Sequence, residues 1–296
     1  MNNLTVLTAC KNREKNLNLM RRNVAKLKTV SKHLIVDWSS KEKINLENEN
    51  NVEIISKKNE KNYWASRAYN FGVFFVVTDY ILKLDTDTIL NSDKFNKLTY
   101  QNYDLIIFYK EKYDPGNFLV KKDLFEKVNG FNEYIYGWGW EDHDLINRLK
   151  KIIDPSRVLE LTDYIDKIKH NDSERVNIKD SKLQISQSTN YSYGIKKAFN
   201  QTNSYISSLN IWNDQKLKYN NLNNEIDHFY SVEQLSLTIR LKHKYYFFNT
   251  LFMVLKPKRR FYRRLAPYFF CFYKKESIIK KFGVEIYPSI YSHESI

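Results

Sequence analysis

Through the first half of the chain, short apolar runs alternate with longer polar stretches, and this spacing constrains the fold more than any other feature. Candidate strands are Leu4–Thr8, His33–Asp37, Val52–Ser56, Tyr80–Asp85 and Asp104–Phe108, and Glu14–Lys28, Ala65–Val77 and Lys94–Leu98 read as the helices between them. Runs such as Leu34-Ile35-Val36 and Leu105-Ile106-Ile107-Phe108 are apolar at every position, as in strands covered on both faces. Strands alternating with helices predict an α/β domain, a nucleotide-binding type of sheet with helices on both faces. Ligands of such sheets gather beyond the carboxyl ends of the strands. Cys10–Arg13, Asp37–Ser39 and Asp85–Asp87 all fall at such ends, so a nucleotide site is expected there.

One segment is dense in chemistry: Tyr136-Gly137-Trp138-Gly139-Trp140-Glu141-Asp142-His143-Asp144. Indole rings offer flat apolar platforms, glycines allow backbone and ring to approach a ligand, and carboxylates accept a hydroxyl proton. The combination suits a sugar ring with a reactive hydroxyl. Acids in the first turn of a helix are worth only about 0.3–1 kcal/mol each, which accounts for Glu141, Asp142 and Asp144 but not for the Gly-Trp-Gly-Trp before them. Upstream, Asp85-Thr86-Asp87 follows the run Tyr80-Ile81-Leu82-Lys83-Leu84 and offers hard oxygen ligands for a divalent cation, Mn2+ or Mg2+, with a diphosphate beside it.

Asn129-Gly130-Phe131 through Arg148 resembles the acceptor-binding motif of the beta-1,4-galactosyltransferases and of bacterial chondroitin-polymerase-like transferases. Other pieces follow in order over about the first 175 residues. Thr8–Arg13 resembles the first nucleotide loop, Val36-Asp37-Trp38-Ser39 the second-strand acidic position, and Trp64–Gly72 the R-A-x-x-N-x-G segment. The resemblance implies a GT-A fold and an inverting, metal-dependent transfer of a hexose such as Gal or GalNAc from a UDP-sugar. It assigns Asp142 as general base and Glu141 to the acceptor, with Trp138 and Trp140 as acceptor-binding rings. Trp140 stands where the galactosyltransferases usually have Gly. Arg13, Asp37, Arg67 and Asp85 are implied at the nucleotide-sugar, and Asp87, His170 and, more loosely, Asp85 at the metal.

Charge is unevenly spread. The net charge is +14, and residues 240–281 hold thirteen Lys or Arg against one acid, Glu276. Aromatic and basic residues interleave there, as in interfacial segments at anionic membranes, where each basic residue contributes on the order of 1 kcal/mol. The expected organisation is a catalytic domain at 1–180, an accessory helical or irregular region at 181–240 and a membrane-associating tail at 241–296. Cys10 and Cys271 form no disulfide framework or zinc spacing, which favours a reducing compartment. With no apolar run long enough to span a bilayer and no leader before Leu4, the expected place is cytoplasmic, at the inner face of a bacterial membrane, acting on a surface glycan or lipid-linked saccharide. A nucleotidyltransferase is the alternative enzyme, but Thr8–Arg13 lacks the Gly of its phosphate loop. Nucleic-acid binding through the tail is the non-enzymatic alternative, and no nucleic acid is expected as partner because no binding motif accompanies the charge.

Overall fold

The computed structural model describes residues 3–42, 44, 51–60, 63–110, 114–169, 189–212, 230, 234–255 and 267. The chain forms two compact units. The first contains residues 1–131 and 142–170; the second contains 132–141, 171–215 and 228–296.

The first unit is the expected α/β domain. Its strands are β1 (Leu4–Cys10), β2 (Lys32–Trp38), β3 (Val52–Lys57), β4 (Tyr80–Lys83), β5 (Thr88–Leu90), β6 (Leu105–Tyr109), β7 (Asn117–Lys121), β8 (Val158–Thr162) and β9 (Ile165–Lys167). Its helices are α1 (Glu14–Val24), α2 (Ala65–Phe74), α3 (Ser92–Asn96), α4 (Lys122–Lys127) and α5 (Glu141–Lys150), the last beginning at the end of the 132–141 segment. Seven strands form one sheet in the order β3-β2-β1-β4-β7-β6-β8, and β5 pairs with β9 in a separate ribbon. β1, β2, β3 and β4 run parallel; β7 is antiparallel to both β4 and β6; β8 is parallel to β6. Every residue of β1 and all but the first of β2 are buried, so apolar side chains stand on both faces of each strand, beside the buried polar Thr5, Thr8, His33 and Asp37.

Two sequence motifs meet inside this unit. The Asn70 side-chain amide donates to the Phe131 carbonyl at 2.9 Å and accepts from the Phe131 amide at 2.8 Å, standing in for a strand partner. Asp144, on the buried face of α5, pairs with Arg148 at 2.7 Å, and Arg148 donates to the Val128 carbonyl at 2.5 Å. The third acid of the Trp/Gly segment therefore anchors its helix.

In the second unit α6 (Thr189–Ser208) and α7 (Leu237–Leu255) pack together, with Phe199 against Phe247 and Tyr205 against Tyr246 at centroid separations of 5.2 and 4.9 Å. The boundary expected at 240/241 falls inside α7, whose Phe247, Phe248, Leu251 and Phe252 are buried rather than presented to a surface. Residues 256–296, which carry most of the expected membrane segment, lie outside the described residues apart from Pro267. Tyr134, Trp212 and Tyr230 form a mutually edge-on cluster, and the buried Glu133 accepts a hydrogen bond from the Tyr230 amide at 2.9 Å.

Candidate functional site

The register of the parallel strands brings three loops to one sheet edge. Cys10 lies opposite Asp37, Asp37 opposite Ser56, and Leu7 opposite Lys83. The loops are tied to one another: the Lys41 amide donates to Asn12 Oδ1 at 2.7 Å, Ser39 Oγ donates to the Lys57 carbonyl at 2.6 Å, and Lys11 Nζ donates to the Glu60 carbonyl at 2.6 Å. Asp37 is buried at the end of β2 and accepts from the Ser40 amide at 3.0 Å. Arg13 stands half-buried immediately before α1. Arg67 is buried on α2, its guanidinium stacked 3.3 Å from the centroid of the Trp64 ring.

The strongest electrostatic feature is one that sequence reasoning passed over. Lys83, only 4% exposed at its side chain, donates to Asp85 Oδ1 at 2.8 Å, Asp142 Oδ1 at 3.0 Å and the Gly116 carbonyl at 2.6 Å. A charged side chain is almost never fully buried unless paired, and here one ammonium holds two carboxylates. Its signal was present: a lysine inside an otherwise apolar central strand, two residues before an acid. On the far side of Asp85, Lys167 of β9 lies 3.3 Å from both Asp85 Oδ2 and Asp87 Oδ1. The β5–β9 ribbon puts it there, with Thr88 opposite Lys167 and the Ile168 amide donating to the Asp87 carbonyl at 2.7 Å. Asn117 fixes the turn by accepting from the Asp85 amide at 3.0 Å.

Gly116 completes the cluster. A Cβ at this position would stand 3.1 Å from Asp85 Oδ2 and 3.4 Å from both Asp114 Oδ1 and Asp142 Oδ2, so a side chain here would crowd Asp85 and touch the other two carboxylates. Burial pushes the Asp142 carboxyl up, and the charges of Asp85 and Asp114 add to this, against the lowering effect of Lys83. Burial acts the same way on Asp85, but the Lys83 and Lys167 ammoniums outweigh it and hold that carboxyl well below the usual range. One acid is thus held ionised, and its neighbour is set toward taking up a proton.

Asp85 and Asp87 already direct oxygens at a single cationic point, the Lys167 ammonium, and carboxylate oxygen is the donor that Mn2+ and Mg2+ take. Among the described residues no three Asp, Glu, His or Cys side chains form a metal cage on their own. His170, the further ligand expected from sequence, lies outside the described residues. The donor set at Asp85 and Asp87 fits a hard cation that keeps other ligands.

In the second unit the Trp/Gly segment is a strained loop. Gly137, Gly139 and Trp140 have φ of 79°, 89° and 76°, and for a non-glycine such as Trp140 this region is costly. α6 holds the loop in place. Asn203 Nδ2 donates to the Tyr136 and Gly139 carbonyls at 2.9 and 2.8 Å, and Phe199 packs under Gly137. Trp138 is left 42% exposed, with Lys196 Nζ 5.6 Å from its ring centroid. Trp140 is half-buried, and Glu141 and Asp142 follow as the first two residues of α5.

No curated protein matches this sequence. Solved structures similar to it include the catalytic domain of Drosophila beta1,4galactosyltransferase 7 in complex with xylobiose, at 18% identity and a TM-score of 0.42, over 57% of this chain and 71% of that one. Another is the mannosyltransferase PcManGT from Pyrobaculum calidifontis in complex with GDP-Man and Mn2+, at 10% identity and a TM-score of 0.48, over 70% of this chain and 64% of that one. A third is S. aureus TarS 1-349 in complex with UDP-GlcNAc, at 10% identity and a TM-score of 0.49, over 88% of this chain and 76% of that one. Residues 97–171, the stretch that supplies Asp114, Gly116, the Trp/Gly loop, Asp142 and Lys167, match the family model described as the N-terminal domain of galactosyltransferase.

Proposed function

We propose that this protein is a metal-dependent glycosyltransferase that moves a hexose, such as Gal or GalNAc, from a UDP-sugar to a saccharide hydroxyl with inversion. The observation that carries the reading is the Lys83 ammonium holding Asp85 and Asp142 together at the carboxyl edge of the sheet. This puts a carboxylate of raised proton affinity beside the Asp-x-Asp turn, as a general base next to a diphosphate requires. Asp142 would accept the proton from the acceptor hydroxyl as its oxygen attacks the anomeric carbon. The bond from that carbon to the diphosphate breaks, and UDP leaves with the bonding electrons. Displacement by a single base inverts the centre. Glu141 would bind the acceptor, and Trp138 and Trp140 would offer it an apolar ring face. Arg13 and Arg67 would serve the diphosphate, and Asp37 the nucleoside. A divalent cation held by Asp85, Asp87 and His170 would neutralise charge developing on the leaving diphosphate.

The acceptor we favour is a glycan or lipid-linked saccharide of a bacterial surface polysaccharide or lipooligosaccharide, reached at the inner membrane face through the basic residues of 241–281. Among the described residues no helix is long and apolar enough to cross a membrane. The test is UDP release from a panel of UDP-sugars with Mn2+, on wild type and Asp142→Asn. The variant should lose about 10²–10⁴-fold in turnover while still binding UDP. Turnover at the wild-type rate in the variant would remove Asp142 from the chemistry, and pyrophosphate release from a nucleoside triphosphate would point to a nucleotidyltransferase.

A further inference from the structure

α6 carries more than the support for the loop. Its twenty residues include two lysines, Lys196 and Lys197, and no Asp or Glu. Positions 196, 199, 200 and 203 form one stripe at helical spacing, and its last three members hold the loop: Phe199 under Gly137, Asn200 Nδ2 2.8 Å from where a Gly139 Cβ would stand, and Asn203 on two loop carbonyls. The first member, Lys196, is therefore delivered to the exposed Trp138 ring, its Nζ over the ring at 5.6 Å from the centroid. One turn back, Tyr193 is 58% exposed and has Lys197 Nζ 5.9 Å from its centroid. Two solvent-facing rings thus each carry an ammonium on the same helix. A neutral sugar needs the rings and not the cations.

We infer that the saccharide bound at this platform is acidic: a sugar ring on Trp138 whose carboxylate or phosphate is met by Lys196, with Lys197 receiving the next anionic unit along the chain. The inference rests on the acceptor reading of the Trp/Gly loop and adds to it the class of acceptor. Each exposed ion pair is worth little, so the two lysines together should favour an anionic glycoside about three- to tenfold over its neutral counterpart, at low salt.

The experiment is an NMR titration of the full chain with methyl β-glucuronide, methyl β-glucoside 6-phosphate and methyl β-glucoside, with UDP binding in Mn2+ measured in parallel. The expected result is tighter binding of one or both anionic glycosides, with the pair of compounds telling a carboxylate site from a phosphate site. The preference should vanish in Lys196→Gln/Lys197→Gln and return in Lys196→Arg/Lys197→Arg. Equal binding of neutral and anionic glycosides, a preference that survives in the glutamine variant, or no glycoside binding at all would overturn the inference. If UDP still binds in those cases, the glycosyltransferase reading stands without it. A lysine-dependent preference in a protein that does not bind UDP would support the acidic-sugar platform and defeat the transferase reading.

Discussion

Replacing Lys83 by Met keeps the length of the side chain and removes its charge, and the structure fixes what this should cost. The Asp142 side chain is 15% exposed and would keep its charge in a poorly solvated place with no ammonium at 3.0 Å. The Gly116 carbonyl would lose its donor. Asp85 contributes less to the loss, because its side chain is 33% exposed and Lys167 stays beside it. Removing one partner of a buried ion pair costs roughly 3–5 kcal/mol, which for a domain of this size is on the order of 10 °C in Tm. Urea denaturation at neutral pH, followed by circular dichroism, measures it. In the Lys83→Met/Asp142→Asn double variant the uncompensated charge is gone, so about 1–3 kcal/mol should return relative to the sum of the single changes. The pH dependence has a definite sign. Without Lys83 the folded-state affinity of Asp142 for a proton rises further above its unfolded value, so Lys83→Met regains stability as pH falls from 7 and loses it as pH rises. A loss below about 1 kcal/mol, or no recovery in the double variant, would show that Lys83 does not compensate a buried charge on Asp142.

Two further outcomes follow from single positions. His33 is buried, and burial with the nearby Arg21 charge holds its imidazole down to about 3. The unfolded chain therefore takes up a proton below about pH 6.5 that the native state refuses, and between pH 6.5 and 5 stability should fall by about 2 kcal/mol from this group. Urea denaturation of His33→Gln across that range should show a correspondingly shallower slope. Gly139→Ala puts a Cβ at φ 89° and 2.8 Å from Asn200 Nδ2, so the variant should lose about 1–3 kcal/mol and shift the Trp138 fluorescence, both read in one titration.

The sheet was legible because β1, β2 and β6 are buried along nearly their whole length, and β2 and β6 show this in the continuous apolar runs Leu34–Val36 and Leu105–Phe108. β5 and β9 were not, since strands of three residues are stabilised by each other across a long stretch of sequence. α6 was hidden for a different reason. Its buried stripe includes Thr202 and Asn203, whose side chains are satisfied by Ala198, Phe199, Tyr136 and Gly139 carbonyls, so the helix face turned inward is partly polar. At the site, Asp85, Asp87 and Asp142 could be read as motif acids. Lys83, Lys167, Asp114 and Gly116 could not be gathered with them from spacing alone, because only β-sheet register and the β5–β9 ribbon bring them together. Arg67 could be chosen as a basic residue, but not its stacking on Trp64.

On the proposed reading a divalent cation and a nucleoside diphosphate sit together at the Asp85–Asp87 turn. Calorimetric titration of UDP in Mn2+ and then in EDTA, on wild type and Asp87→Ala, tests it most directly. Binding should require the metal and be lost in the variant. Failure of the wild type to bind UDP in Mn2+, or binding unchanged by EDTA and by Asp87→Ala, would contradict it.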